Sequence, residues 1–261
     1  MDKTKLCSII FVHYHKDEKR SEQMMASMNS LVETTKSYPC EIVVVDNGQN
    51  EQDSQFFLSL VVGGAIQTYV RNANNMHFGY ARNQGMVLSN GDYICISDND
   101  IIYTPGWLEA CVAVLEKYPH KKIYATPVYN VAHWLPKFWH DEVLEVGDRA
   151  YRLNSRAGSN CFVIRRKDLK EIGGFLCHRV AGTKWTEKAI RLEFAVAVTP
   201  DVMVDDVGFR DGYNYKEAIP IKEILTNGKE VYFNEDEFKH NNRRLHYIQQ
   251  SAFDIGNNPR S

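Results

Sequence analysis

Four β-rich runs, Leu6 to His13, Glu41 to Asp46, Ile66 to Arg71 and Tyr93 to Ser97, alternate with stretches that carry helical patterns. Alternation of this kind implies a parallel, doubly wound sheet. Such sheets bind ligands in the crevice outside the carboxyl ends of their strands. The run Asn90-Gly-Asp-Tyr-Ile-Cys-Ile-Ser-Asp-Asn-Asp100 delivers two acidic side chains to such an end. If the strand geometry persists, Asp98 and Asp100 point to the same side and share one hard cation, or one cation plus a ribose. The competing reading is a polar turn that caps the next helix, whose start falls at Thr104-Pro-Gly-Trp107.

Composition narrows the class further. With 261 residues, 44% hydrophobic content and a formal charge of −2, the chain buries one substantial core, with room for a smaller C-terminal lobe. A near-neutral balance offers no electrostatic case for nucleic acid. Met1-Asp-Lys-Thr-Lys5 runs directly into the first strand, and no stretch approaches the ~18 apolar residues of a membrane span. A cytoplasmic protein without a transmembrane segment is expected, peripheral membrane contact remaining open. Cys7, Cys95, Cys111 and Cys161 sit inside apolar runs, where a thiol acts as a small hydrophobe, and with Cys40 and Cys177 form no Cys-X-X-Cys pair. They read as reduced residues rather than zinc ligands or a disulfide framework.

Four blocks together resemble a known family: Cys7-Ser-Ile-Ile-Phe-Val-His-Tyr14, Glu41-Ile-Val-Val-Val-Asp-Asn-Gly48, Gly79-Tyr-Ala-Arg-Asn-Gln-Gly85 and Gly91-Asp-Tyr-Ile-Cys-Ile-Ser-Asp-Asn-Asp-Ile101. Their order and spacing resemble family 2 glycosyltransferases, inverting enzymes of the GT-A fold. Four blocks in register are far more specific than any one of them. The resemblance implies an α/β fold with a Rossmann-like, mostly parallel central sheet flanked by helices and a smaller C-terminal acceptor-side region. It implies residues 1–130 as the nucleotide-sugar half and residues 131–261 as the acceptor-binding and catalytic half. It also implies a divalent cation, Mn²⁺ or Mg²⁺, a nucleotide-diphosphate sugar donor, and a glycan or lipid-linked glycan acceptor of the kind used in polysaccharide biosynthesis.

Residue by residue, the resemblance puts the backbone near Val12 and the ring of Tyr14 at the nucleotide base. Asp46 is expected on a base N–H or a ribose hydroxyl, although Asp-Asn-Gly is also an ordinary turn after a strand. The family often has two acids there, and this chain has Asn47 in the second place. Arg82 and Asn83 are the polar residues matching the nucleotide or phosphate block, with His77 facing the same donor; a solvated helix charge is the alternative for Arg82. Gly79 and Gly85 in that block permit close backbone approach. Asp98 and Asn99 belong to the donor side, and Asp98 and Asp100 to the cation.

In the second half, Lys121 to Val128 reads as a strand and Glu142 to Leu153 as a hairpin around Gly147-Asp148. His133, Trp134, Phe138, Trp139 and His140 either line an acceptor groove or plug the second lobe. Gly158 to Arg166 and Ile172 to Phe175 resemble the family segment that supports acceptor binding. Asp205-Asp206 followed by Val-Gly-Phe-Arg210 resembles the acidic pair of the family, normally Glu-Asp. A sugar hydroxyl must lose its proton as it attacks, and a positioned carboxylate takes it; the resemblance makes Asp206 the expected general base and Asp205 the residue holding the acceptor, with two acids capping a surface turn as the alternative. The resemblance also implies His240 on the metal, with Arg243 and Arg244 at the leaving diphosphate; a surface histidine in a polar stretch is the alternative.

The reading is therefore a metal-dependent inverting hexosyltransferase. A sugar-phosphate nucleotidyltransferase is the runner-up, and it calls for a Gly-rich basic loop after the first strand, where Val12-His-Tyr-His-Lys16 has no glycine. A third possibility is a nucleotide-sugar-binding module without catalysis.

Overall fold

A computed structural model describes residues 5–48, 50–129, 139–155, 160–176 and 181–210, with residues 200–203, 209 and 210 described by their backbone alone. The first half alternates as expected: β1 (Cys7–His13), α1 (Glu18–Thr34), β2 (Cys40–Asp46), α2 (Glu51–Val62), β3 (Thr68–Arg71), α3 (Phe78–Leu88) and β4 (Tyr93–Ser97). β1 pairs in parallel with both β2 and β4, and β2 with β3. The spatial order β3-β2-β1-β4 reverses direction between β1 and β4. That reversal opens a crevice beyond the ends of these two strands, the usual ligand position in an open α/β sheet.

A two-residue strand, β5 (Ile101–Ile102), follows the acidic turn and leads into α4 (Trp107–Lys117) and β6 (Ile123–Tyr129). The expected hairpin forms as β7 (Trp139–Val146) and β8 (Arg149–Asn154), turning at Gly147 with φ +61°. Next come β9 (Cys161–Arg165), α5 (Arg166–Ile172), α6 (Ala181–Arg191), β10 (Ala195–Asp206) and the short α7 (Val207–Arg210). β9 runs antiparallel between β4 and β6, so both halves of the chain share one sheet. β10 is parallel to β6 but antiparallel to β8 and β5. Its pairing with β6 shifts register between Val198 and Met203, around Pro200, which has no N–H for a ladder.

Alternate residues of each central strand enter opposite faces. Ile9, Phe11, Ile42, Val44, Tyr93 and Cys95 join Met24, Met28 and Leu31 of α1 and Trp107 of α4 on one side. Ile10, Val43, Val45, Ile94 and Ile96 meet Ala81 of α3, Ile172 of α5 and Trp185 of α6 on the other. Burial of each large side chain contributes about 1.5–3 kcal/mol, which explains why these strands are continuously apolar. The methionine-rich stripe of α1 is core, and Cys7, Cys95, Cys111 and Cys161 are free, buried thiols.

One polar clasp holds the sheet's entry side. Glu41 accepts hydrogen bonds from Ser8 Oγ at 2.5 Å and from the Asn90 amide at 2.5 Å, joining β1, β2 and the turn before β4. Its pKa is lowered: desolvation pushes it up, and the hydrogen bonds from Ser8 and Asn90 outweigh that push. Gly91 makes the clasp possible, since a Cβ there would sit 2.6 Å from the Ser8 amide.

Candidate active site

Val12, Tyr14, His77, Arg82, Asp98 and Asn99, drawn from β1, α3 and the end of β4, line one cavity of about 360 Å³. It lies at the β1/β4 crevice. Lys16 and Arg20 also line it. No role for these two was read from the sequence; the signal was Asp17, whose side chain caps α1 by accepting from the Arg20 amide and so aims the first turn of α1 at the strand ends.

The acidic run does not continue as a strand. β4 ends at Ser97, and residues 98–100 form a turn before β5. Strand alternation therefore stops, and the two carboxylates take different partners rather than a common side. Asp98 Oδ1 accepts from Arg82 Nη2, and Asp100 Oδ2 lies 2.6 Å from Arg20 Nη1. Asn99 between them accepts from Arg20 Nη1 at 3.4 Å and faces His13 Nδ1 at 2.8 Å. Negative charge nonetheless accumulates here. The Asp98 pKa is pushed up to about 6 by desolvation, Arg82 pulls it back down, and Asp100 and Asp206 add to the rise.

Arg82 is not a solvated helix charge. Only 2% exposed, its guanidinium lies 4.9 Å from the Phe78 ring centroid and 5.0 Å from that of Phe175. Its Nε and Nη1 are buried without a hydrogen-bond partner. An Arg held between two rings with unused N–H groups at a cavity wall is suited to an anionic ligand. His77 caps α3 at φ 71°, its Nδ1 accepting from the Gly79 amide at 3.3 Å.

Two residues expected at the donor turn inward instead. Asp46 is 1% exposed, and its carboxylate accepts from the Gly48 amide, Ser54 Oγ and Tyr69 OH at 2.8–2.9 Å. Asn83 exchanges both amide hydrogen bonds with the Phe175 backbone, at 2.7 and 2.8 Å. Its work is to dock α3 onto the segment after α5; polar residues within a helix look alike in sequence whether they face ligand or backbone. Asn47, the departure from the family pattern, is buried too, bonded to Asn72, Asn75 and the Met76 amide.

Asp206 ends β10 and is 1% exposed, its Oδ2 accepting from Asn160 Nδ2 at 3.0 Å. Antiparallel pairing sets Asp206 opposite Ile101 and Asp205 opposite Ile102. The Val207 amide then donates to the Asp100 carbonyl at 3.0 Å. Asn160 was part of a resemblance block but carried no role of its own; its backbone carbonyl also accepts from the Asp98 amide at 2.8 Å. It thereby ties both acidic segments together. His133, Trp134, Phe138, Gly158, His240, Arg243 and Arg244, and the Arg210 side chain, lie outside the described residues. Of the aromatic cluster, Trp139 and His140 are described: the Arg152 guanidinium lies 4.8 Å from the Trp139 ring, and His140 Nε2 lies 2.5 Å from Ser155 Oγ.

The donor set at the turn fits a hard divalent cation in chemistry: two carboxylates, one with its pKa raised first by desolvation and then by the neighbouring Asp100 and Asp206 charges. Each now faces an arginine, so a cation would replace a guanidinium at one or both. Among the described residues no cluster of three or more His, Cys, Asp or Glu side chains forms a ready cation cage.

A parallel β3-β2-β1-β4 half ending in an acidic turn, with a second acidic pair brought beside it by a later strand, is the layout of a GT-A glycosyltransferase. The chain belongs to glycosyl transferase family 2, whose sequence profile matches residues 8–177. No curated protein matches it in a sequence search. Among solved structures it is similar to GalNAc-T7 with UDP, GalNAc and Mn²⁺, at a TM-score of 0.62 and 15% identity. That match covers 99% of this chain and 58% of GalNAc-T7, so this chain spans little more than half the neighbour's length. The mannosyltransferase PcManGT from Pyrobaculum calidifontis, in complex with GDP-Man and Mn²⁺, matches at a TM-score of 0.64 and 16% identity, over 98% of this chain and 74% of that one. S. aureus TarS 1-349 matches at 0.58 and 18%, over 93% and 72%. At these identities the neighbours establish the fold. Among the described residues no helix is long and apolar enough to cross a membrane.

Proposed function

We propose that this chain is a metal-dependent inverting glycosyltransferase that moves a hexose-type sugar from a nucleoside diphosphate to a hydroxyl of a glycan or lipid-linked glycan. One observation carries the reading: the hydrogen bond from Val207 to the Asp100 carbonyl holds the Asp205-Asp206 pair against the turn that would carry the cation. In this reading donor and acceptor chemistry meet at one place in the sheet. The neighbours GalNAc-T7 and PcManGT, crystallised with UDP or GDP-Man and with Mn²⁺, support the cation and the class of donor.

In this reading residues 1–130 bind the donor and 131–261 the acceptor. Tyr14 and Val12 face the base, and the unpartnered N–H groups of Arg82 take a diphosphate oxygen. Asp98 and Asp100 would hold Mn²⁺ or Mg²⁺, with His240 as a further ligand and Arg243 at the leaving group; the bound cation supplies positive charge to the departing diphosphate. Asp206 accepts the proton of the acceptor hydroxyl as that oxygen attacks the anomeric carbon, and Asp205 orients the acceptor.

A thermal-shift panel of UDP, GDP, dTDP and their sugars, with and without Mn²⁺, tests the donor half. A true donor at ~100 times its dissociation constant adds roughly 2.7 kcal/mol of stability. Silence across the panel contradicts the proposal. Where a product forms, NMR of the new bond should show the anomeric configuration opposite to the donor's, and retention would rule out a single displacement.

A further inference from the structure

Behind the acidic turn lies a buried polar chain that the sugar-transfer reading does not use. His13, at the end of β1 and fully buried, places Nε2 2.8 Å from Asp53 Oδ2 and Nδ1 2.8 Å from Asn99 Nδ2. Its ring packs against Phe57, 5.6 Å between centroids. Asp53 sits in the first turn of α2, 1% exposed, and the same Oδ2 meets His15 Nδ1 at 2.9 Å and Ser21 Oγ at 3.0 Å.

The partners fix the protons. A guanidinium has only donors, so the Asn99 atom facing Arg20 is its oxygen, and the amide NH₂ must face His13. Nδ1 of His13 is then an acceptor, and its single ring proton is on Nε2, donated to Asp53. A proton on Nδ1 would set two donors 2.8 Å apart. The carboxylate is what selects this tautomer, as carboxylates do behind metal-binding sites.

We propose that Asp53 is a positioning residue of the donor site: by holding the His13 proton on Nε2 it pins Asn99, and with it the turn that carries Asp98 and Asp100. Asp53 touches neither donor nor cation. Its effect on cation binding rests on the reading of that turn as the cation site; its effect on the turn itself does not.

The test uses the whole chain, ¹⁵N-labelled at histidine and at backbone and side-chain amides, first without metal. The parent should show His13 Nε2 protonated and Nδ1 bare. In Asp53→Asn the new amide donates to Nε2, the two ring signals exchange character, and the amides of Asp98 to Asp100 and the Asn99 side chain shift. Mn²⁺ binding, read by electron paramagnetic resonance, should weaken roughly 10- to 100-fold. Asn99→Ala should weaken it comparably, and the double variant no further, because both act through one contact. A parent His13 with its proton on Nδ1 overturns the proposal, and that spectrum is available even where Asp53→Asn does not fold. So do unmoved turn amides in Asp53→Asn, or additive losses in the double variant. A parent that binds no Mn²⁺ defeats the cation reading instead, and the ring and turn signals still decide the role of Asp53.

Discussion

Arg20 Nη1 lies 2.6 Å from Asp100 Oδ2, so a guanidinium from the first turn of α1 neutralises the carboxylate proposed for the cation. Both side chains are mostly buried, 13% and 6% exposed. Removing one partner of such a pair leaves the other charge uncompensated, at a cost of roughly 3–5 kcal/mol where the pair is fully buried. Arg20→Met should therefore lower Tm without metal, and Mn²⁺ should restore more stability to the variant than it adds to the parent. Equal Mn²⁺-induced shifts in thermal melts of the two proteins would show that Arg20 and the cation do not compete.

Asp206→Asn separates chemistry from binding. Its proposed work begins only when the acceptor hydroxyl loses its proton, so donor and Mn²⁺ affinity should persist while turnover falls by about 10²- to 10⁴-fold. Steady-state kinetics beside equilibrium donor titration reads both quantities. Affinity and rate falling together contradict the assignment, and loss of turnover in Asp205→Asn alone moves the base by one residue.

Glu41 gives stability a pH dependence far from the site. Its folded pKa is below the ordinary carboxylate value of 4.5, so the folded state binds fewer protons than the unfolded chain as pH falls below that value. Stability from this group is fully present above pH 4.5 and is lost as pH drops through the folded pKa. Urea unfolding should find Glu41→Gln less stable than the parent at neutral pH, with the gap narrowing in acid. A gap that does not change with pH would mean that the charge of Glu41 is not what holds the clasp.

Gly79 is a packing requirement in the nucleotide block. A Cβ there would lie closer than 3.0 Å to the Leu176 carbonyl oxygen, a backbone atom that cannot rotate away. Gly79→Ala should cost about 1–3 kcal/mol by overpacking, seen as a lower urea midpoint. An unchanged midpoint would mean that the start of α3 shifts to admit a methyl group at no cost.

The parallel half was legible because strands buried on both faces, such as Cys7–His13 and Tyr93–Ser97, read as unbroken apolar runs between helical patterns. The acidic ends of β4 and β10 were legible from their resemblance to a family pattern. β10 itself was not legible as a strand, since Thr199-Pro-Asp201 interrupts its apolar alternation at the register shift. Nor does sequence reveal which way a polar side chain turns. Asp46 and Asn83 resemble donor ligands but hold backbone and helix, whereas Arg20 and Asp53, outside the resemblance blocks, reach the acidic turn through contacts 80 and, by way of His13, 40 positions apart. Long-range pairs of that kind exist only once the sheet has formed.

The central claim is that the Asp98–Asp100 turn binds a cation that in turn holds a nucleoside diphosphate. Isothermal titration of UDP and GDP into the protein, with and without saturating Mn²⁺, measures it directly when parent and Asp100→Ala are compared. The account predicts that one of the two nucleotides binds the parent at least tenfold more tightly with Mn²⁺, about 1.4 kcal/mol, and that a folded Asp100→Ala loses this gain. The same Mn²⁺-dependent gain in Asp100→Ala, or its absence from the parent, would contradict it.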